Sequence, residues 1–143
     1  MSDYETDILV WSEKQAALLR RLASGEPVGD LIDWENVLEE IESVGRDQFY
    51  EFEYLILQAL VLHLKILAWP SALIASQWEA EEMALRRKAR RRFVPSMRQR
   101  VDLAGIYADA LKVVRRDRIE GQSPGPLPDE CPVTLDDLLR DPG

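Results

Sequence analysis

Apolar residues in this chain recur every three to four positions, the spacing of one face of an α-helix. Over residues 7–22, Ile8, Trp11, Leu18 and Leu22 keep that spacing, and Ser24, Gly25, Pro27 and Gly29 then interrupt it. Asp33 is placed to cap a helix beginning at Trp34. Trp34, Val37, Leu38, Ile41 and Val44 follow the i, i+3, i+4, i+7 pattern, with Glu35, Glu39 and Glu42 on the other side. Gly45 leaves three readings open: it ends this stretch, kinks it, or joins it to the next as one long rod. The pattern resumes over residues 47–68. There Asp47, Glu51, Tyr54, Gln58 and Lys65 form a polar stripe, and Phe52, Ile56, Ala59, Leu60, His63 and Leu67 lie opposite. Pro70 stops the helix. Ser76 and Glu79 have capping-box spacing ahead of Trp78, predicting a helix to about Phe93. A further helix is predicted from Ser96, with Met97, Val101, Ala104, Ala108 and Leu111 on one face and Gly121 at its end. Thr134, with Asp137 three residues on, caps a last short helix through Arg140.

No β-branched alternating run and no Asn-Gly turn occurs, so the expected class is all-α. A chain of 143 residues suits one domain. The expected architecture is a single-domain helical bundle of four to five helices over residues 1–143. Residues 121–133 form a Pro-rich connector to the short C-terminal helix. The 47–68 helix is central, and Trp11, Trp34, Leu38, Ile41, Leu60, His63 and Leu67 are expected to share one core.

Charge changes this picture more than overall composition does. The net charge is −8, but it is segregated. Residues 1–85 carry −12, residues 86–118 carry +9 and residues 119–143 carry −5. The acidic start lacks the basic and apolar regions of a secretory signal, and the most apolar run, 54–69, is shorter than a membrane span and contains Lys65. One Cys excludes an internal disulfide framework and fits a cytoplasmic setting.

Few residues suggest chemistry. His63, the single histidine, lies on an apolar helix face; it reads as a core histidine with one hydrogen-bond partner, and otherwise as a base or ligand. Glu40 sits beside the apolar stripe of its helix, which makes Glu40 and His63 the candidates for a carboxylate and histidine metal site. The sharpest cluster is Arg86, Arg87, Lys88, Arg90, Arg91, Arg92, Arg98 and Arg100, eight bases in fifteen positions. These can contact phosphates or a protein partner. They can equally complement the helix dipole, with Glu79, Glu81 and Glu82 opening the same helix, or pair with the acids of residues 35–42. Cys131 stands between Glu130 and Pro132, beside Asp129, where a thiolate is disfavoured. No nucleophile elbow, phosphate-binding glycine loop or dinucleotide fingerprint is present, so no catalytic residue and no cofactor are expected.

Several groups of residues together resemble a known family. They are Tyr4, Asp7 and Trp11, then Asp33-Trp34-Glu35-Asn36 running into Glu39-Glu40-Ile41-Glu42 and Gly45, then Leu60, His63, Leu64 and Lys65, then Trp78 after Ser76, and last Pro128-Asp129-Glu130-Cys131-Pro132 with Leu138-Leu139. Their order and spacing resemble the bacterial family catalogued as domain of unknown function 29, over nearly the whole chain. The chain departs from that pattern at residues 70–75, which are apolar where the family is basic and rich in Ser and Arg. The resemblance implies an all-helical cytoplasmic protein and no assigned activity.

These features converge on a protein-interaction module or assembly subunit, most simply a homo-oligomer. Nucleic-acid binding through residues 86–100 is the alternative, and a metal or small-ligand site at Glu40 and His63 is the third reading. No membrane partner is expected.

Overall fold

The computed structural model describes residues 2–141. They form six α-helices and no strand: α1 (Asp3–Thr6), α2 (Ile8–Ala23), α3 (Trp34–Ala68), α4 (Ala75–Arg92), α5 (Leu103–Arg115) and α6 (Leu135–Leu139). Short 3-10 turns occupy Gly29–Leu31 and Pro95–Met97. The all-α expectation therefore holds. One open reading is resolved and another is corrected. Helical structure continues through Gly45, so the stretches on either side of it are one helix of 35 residues. The helix expected from Ser96 instead starts at Leu103, because Asp102 caps it by accepting a hydrogen bond from the Gly105 N–H at 3.0 Å. Tertiary contacts divide the chain into two compact units, Met1–Asp47 and Gln48–Gly143.

In the first unit, the Asp7 carboxylate caps α2 by accepting from the Val10 N–H at 3.1 Å. The helix closes in a Schellman arrangement. The Gly25 N–H donates to the Leu22 carbonyl and the Glu26 N–H to that of Arg21, with Gly25 at a φ of 99° that other residues resist. Asp33 joins the helices. Its carboxylate accepts from the Trp11 indole N–H at 2.9 Å and from the Asn36 side-chain amide at 2.8 Å. The core is small: Trp11, Ile32 and Val37, with Tyr4, Leu18, Leu19 and Leu22 packed against them.

In the second unit, Phe52, Ile56, Leu60 and Leu64 recur every four residues on α3 and are fully buried. At about 1.5–3 kcal/mol each for complete burial, this stripe supplies an upper-bound stabilisation of roughly 6–12 kcal/mol. Trp69, Trp78, Met97, Tyr107, Val114 and Leu138 complete the core around it. α4 starts at Ala75 with no side-chain cap, so the expected Ser76–Glu79 box does not form; the Ile74 carbonyl instead takes the Gln77 and Trp78 N–H groups. The Pro-rich connector is tied down. Trp69 donates its indole N–H to the Gln122 carbonyl, Tyr107 its hydroxyl to the Pro128 carbonyl, and the Gly125 N–H bonds the Ala68 carbonyl. Thr134 and Asp137 form the expected capping box of α6, which inserts Leu138 into the core.

The single shared core is also corrected. Trp11 belongs to the small first cluster and Leu60 to the large second one. Trp34, Leu38, Ile41 and Leu67 are exposed. Within the first unit the start of α3 buries Val37, so the rest of its apolar stripe finds no cover there.

Candidate functional site

The basic segment of α4 and the turn after it divides into anchored and free cations. Arg86 pairs with Glu82, and Arg92 with Glu51 at 2.8 Å. Arg98 pairs with Asp136 at 2.8 Å while its guanidinium lies over the Phe93 ring. Arg90 reaches the Arg140 carbonyl at 3.4 Å and Asp141 at 4.0 Å. Arg87, Lys88, Arg91 and Arg100 are exposed and have no ion pair among the described residues. The macrodipole reading thus gains its i, i+4 pair, Glu82–Arg86. The other partners are Glu51 and the acids around α6, whereas Glu39 pairs with Arg46 at 2.7 Å.

His63 lies against this system. Its Nδ1 is 3.1 Å from Glu82 Oε1, and Arg86 holds Glu82 Oε2. Glu82 is the one buried charged residue among those described, 8% exposed, and both its oxygens are engaged. The Arg86 Nε is buried without a hydrogen-bond partner. Arg86 also sits within the electrostatic reach of Asp137 on α6. A charged network therefore links α3, α4 and α6. A carboxylate beside an imidazole can relay a proton, but among the described residues no Ser, Thr or Cys side chain is hydrogen-bonded to the pair. Two residues on, Lys65 meets Asp117 at 3.7 Å and lies over the Trp78 ring. The His63-Leu64-Lys65 stretch thus places each polar residue in an interhelical contact and buries the Leu between them.

Glu40 has different neighbours. It accepts the Tyr4 hydroxyl at 2.7 Å, and this bond, ahead of burial and the nearby acids, pushes the Tyr4 phenol up to about 12. Glu40 lies in the first unit and His63 in the second, each with its own partner. Among the described residues no three His, Cys, Asp or Glu side chains are grouped to hold a metal ion. Cys131 donates to the Val133 carbonyl, and burial pushes its thiol up. Among the described residues no helix is long and apolar enough to cross a membrane.

Two further features are surfaces. On the first turns of α3, Trp34, Leu38, Ile41 and Val44 share one face and are 45%, 53%, 64% and 63% exposed. Between α3 and α4, Leu57, Val61, Leu62 and Leu85 floor an open groove of about 470 Å³, with Gln58, Glu81 and Lys88 at its edges. Periodicity identified the first face but assigned it to the core. The groove has no local sequence signal, since its walls lie on two helices.

The comparisons agree with this architecture. An α-helical protein of unknown function from Rhodospirillum rubrum, with a crystal structure at 1.45 Å resolution, superposes with a TM-score of 0.66. The two share 26% sequence identity, covering 99% of this chain and 92% of that one. No curated protein matches the sequence. The profile described as domain of unknown function DUF29 matches residues 4–142, and the chain belongs to that family.

Proposed function

We propose that this chain is a protein-interaction module that self-associates, the apolar face at the start of α3 in one copy entering the α3–α4 groove of another. The carrying observation is the run Trp34, Leu38, Ile41 and Val44, each 45% or more exposed on one helix face. Contiguous apolar surface of this kind marks interaction sites in water-exposed proteins. Charge selects the second copy as the occupant. Glu35, Glu39 and Glu42 make the same turns of α3 acidic, and Lys88, with Arg87 and Arg91 nearby on α4, borders the groove. Opposed patches steer association and fix its register. The setting is the cytoplasm, in keeping with the free thiol of Cys131.

Sedimentation equilibrium tests this. The wild-type chain is expected to associate reversibly, and Ile41→Glu and Lys88→Glu are each expected to shift it to monomer without loss of helicity. A wild-type chain that stays monomeric up to about 1 mM, the concentration scale of roughly 4 kcal/mol of association, refutes the reading.

One observation favours a second reading, nucleic-acid binding: Arg87, Lys88, Arg91 and Arg100 are free of carboxylate partners among the described residues. Four phosphate contacts give a slope of log affinity against log salt of about −3 to −4. The triple variant Arg87→Ala, Lys88→Ala, Arg91→Ala is expected to flatten it. No binding at low salt removes this reading.

A further inference from the structure

We propose that a small pocket between α4 and the end of α6 is a binding site for a phosphoryl oxyanion, either inorganic phosphate or the terminal phosphate of a small ester. This inference is independent of self-association.

Glu82, Met83, Arg86, Arg87, Arg90 and Arg140 line the pocket, which encloses about 90 Å³. Four arginines from two elements therefore line one cavity. Three are already held in place: Arg86 by Glu82, Arg90 by the Arg140 carbonyl, and Arg140 by Asp137 at 3.2 Å. Arg87 is exposed and has no ion pair among the described residues. Each guanidinium offers five N–H donors in a fixed fork. The bonds just named leave most of them unused. The site thus has orientation fixed and acceptors missing, the complement of a group with several oxygens and negative charge.

Size and charge narrow the class. A space of about 90 Å³ is several times the roughly 10–15 Å³ that one water needs on the same measure, so it admits a phosphoryl group. Glu82 lines the pocket, and Asp137 and Asp141 reach its arginines. These carboxylates keep the surplus positive charge small, so a monovalent halide gains little, while a tetrahedral anion can engage several forks at once. A phosphodiester carries substituents on two oxygens and presents fewer free acceptors to an enclosed pocket. Terminal phosphate is therefore favoured over a nucleic-acid backbone.

The test is calorimetric titration of the full chain at low ionic strength with inorganic phosphate, with a simple phosphate monoester, and with dimethyl phosphate. Chloride at matched ionic strength is the reference. Saturable binding of phosphate or the monoester is expected, with dimethyl phosphate at least about tenfold weaker. Equal affinity for the first two identifies free phosphate as the ligand, and tighter binding of the monoester identifies a phosphorylated small molecule; both support the site. Arg87→Gln removes donors without breaking an ion pair and is expected to weaken phosphate about tenfold. Arg140→Gln is a second variant on the other wall, with the same expected direction. Arg100→Gln makes the same charge change outside the pocket and is expected to leave binding intact. The proposal is overturned by phosphate binding no better than chloride, or by an equal effect of Arg100→Gln and Arg87→Gln.

Discussion

Glu82→Ala isolates the charged network that joins three helices of the second unit. Glu82 is 8% exposed and holds both His63 Nδ1 and Arg86. Its removal leaves the Arg86 guanidinium, whose Nε is already a buried donor without an acceptor, deprived of its closest counter-charge. Breaking a buried pair from one side costs about 3–5 kcal/mol. Two features reduce that figure here. The Arg86 side chain is 22% exposed, and Asp137 still acts on it electrostatically. The expected loss is about 2–3 kcal/mol, discounted for that partial access to water. For a unit the size of residues 48–143, this is a fall in Tm of roughly 10–20 °C. Urea unfolding followed by far-ultraviolet circular dichroism measures it, and Trp69 and Trp78 report the same unit by fluorescence. Glu82→Gln keeps an acceptor for Arg86 and should lose about half as much. The double variant Glu82→Leu with Arg86→Met removes both charges and should recover most of the stability. A loss below about 1 kcal/mol in Glu82→Ala would mean that water already screens the pair. A double variant as unstable as the single one would assign the effect to packing, and either result refutes the argument.

Other perturbations act locally. Thr134→Ala removes the hydroxyl that accepts from the Asp137 N–H at 3.0 Å; hydrogen exchange should show lost protection around Leu138 for a cost of about 1 kcal/mol, with the Phe52 to Leu64 stripe unchanged. The hydrogen bonds from Thr134 hold the Asp137 carboxyl below its ordinary value, so its stabilisation is full above the unfolded value and is lost as pH falls through the lowered one; α6 should loosen below about pH 4, and Asp137→Asn should abolish that dependence. The hydrogen bond to Glu40 raises the Tyr4 phenol to about 12, so its stabilisation is present below the ordinary tyrosine value and is lost as pH rises through about 12. Alkaline difference absorbance should show one late-ionising tyrosine, absent in Tyr4→Phe. Burial raises the Cys131 thiol, so alkylation at neutral pH should run slower than for the same residue in urea.

The legible parts of this fold are those decided within one helical turn. Thr134 and Asp137 bond each other's backbone, and the same two letters announce it in the sequence. Asp33 before Trp34 works in the same way, its carboxylate accepting from the Asn36 backbone and side chain. Local signals failed where a neighbouring one competed. Ser96 resembles a helix start, but Asp102 captures the Gly105 N–H and sets the start at Leu103. Ser76 falls inside a helix that the Ile74 carbonyl has already begun. The larger miss is the core. Periodicity groups Trp34, Leu38 and Ile41 on one face but carries no information about whether anything covers that face. The same limit governs the site. His63 stands out as a histidine on an apolar stripe, yet its partner Glu82 lies on another helix 19 residues away, at no spacing a single sequence can decode.

The basic segment shows why net charge is a poor guide to a binding surface. Residues 86–118 carry +9, but Arg86, Arg90, Arg92 and Arg98 are committed to α3, to α6 and to α4 itself. Neutralising Arg90, Arg91 and Arg92 as a block would remove one free cation and two that anchor other elements. A loss of binding in that variant would therefore mix recognition with folding. Substitutions at Arg87, Lys88, Arg91 and Arg100 avoid this, since these four are exposed and without ion pairs among the described residues. They also separate the three uses open to the surface. Self-association requires Lys88 beside the groove, and an oxyanion requires Arg87 in the pocket while ignoring Arg100. A nucleic acid lowers its salt slope in proportion to however many of the four are removed.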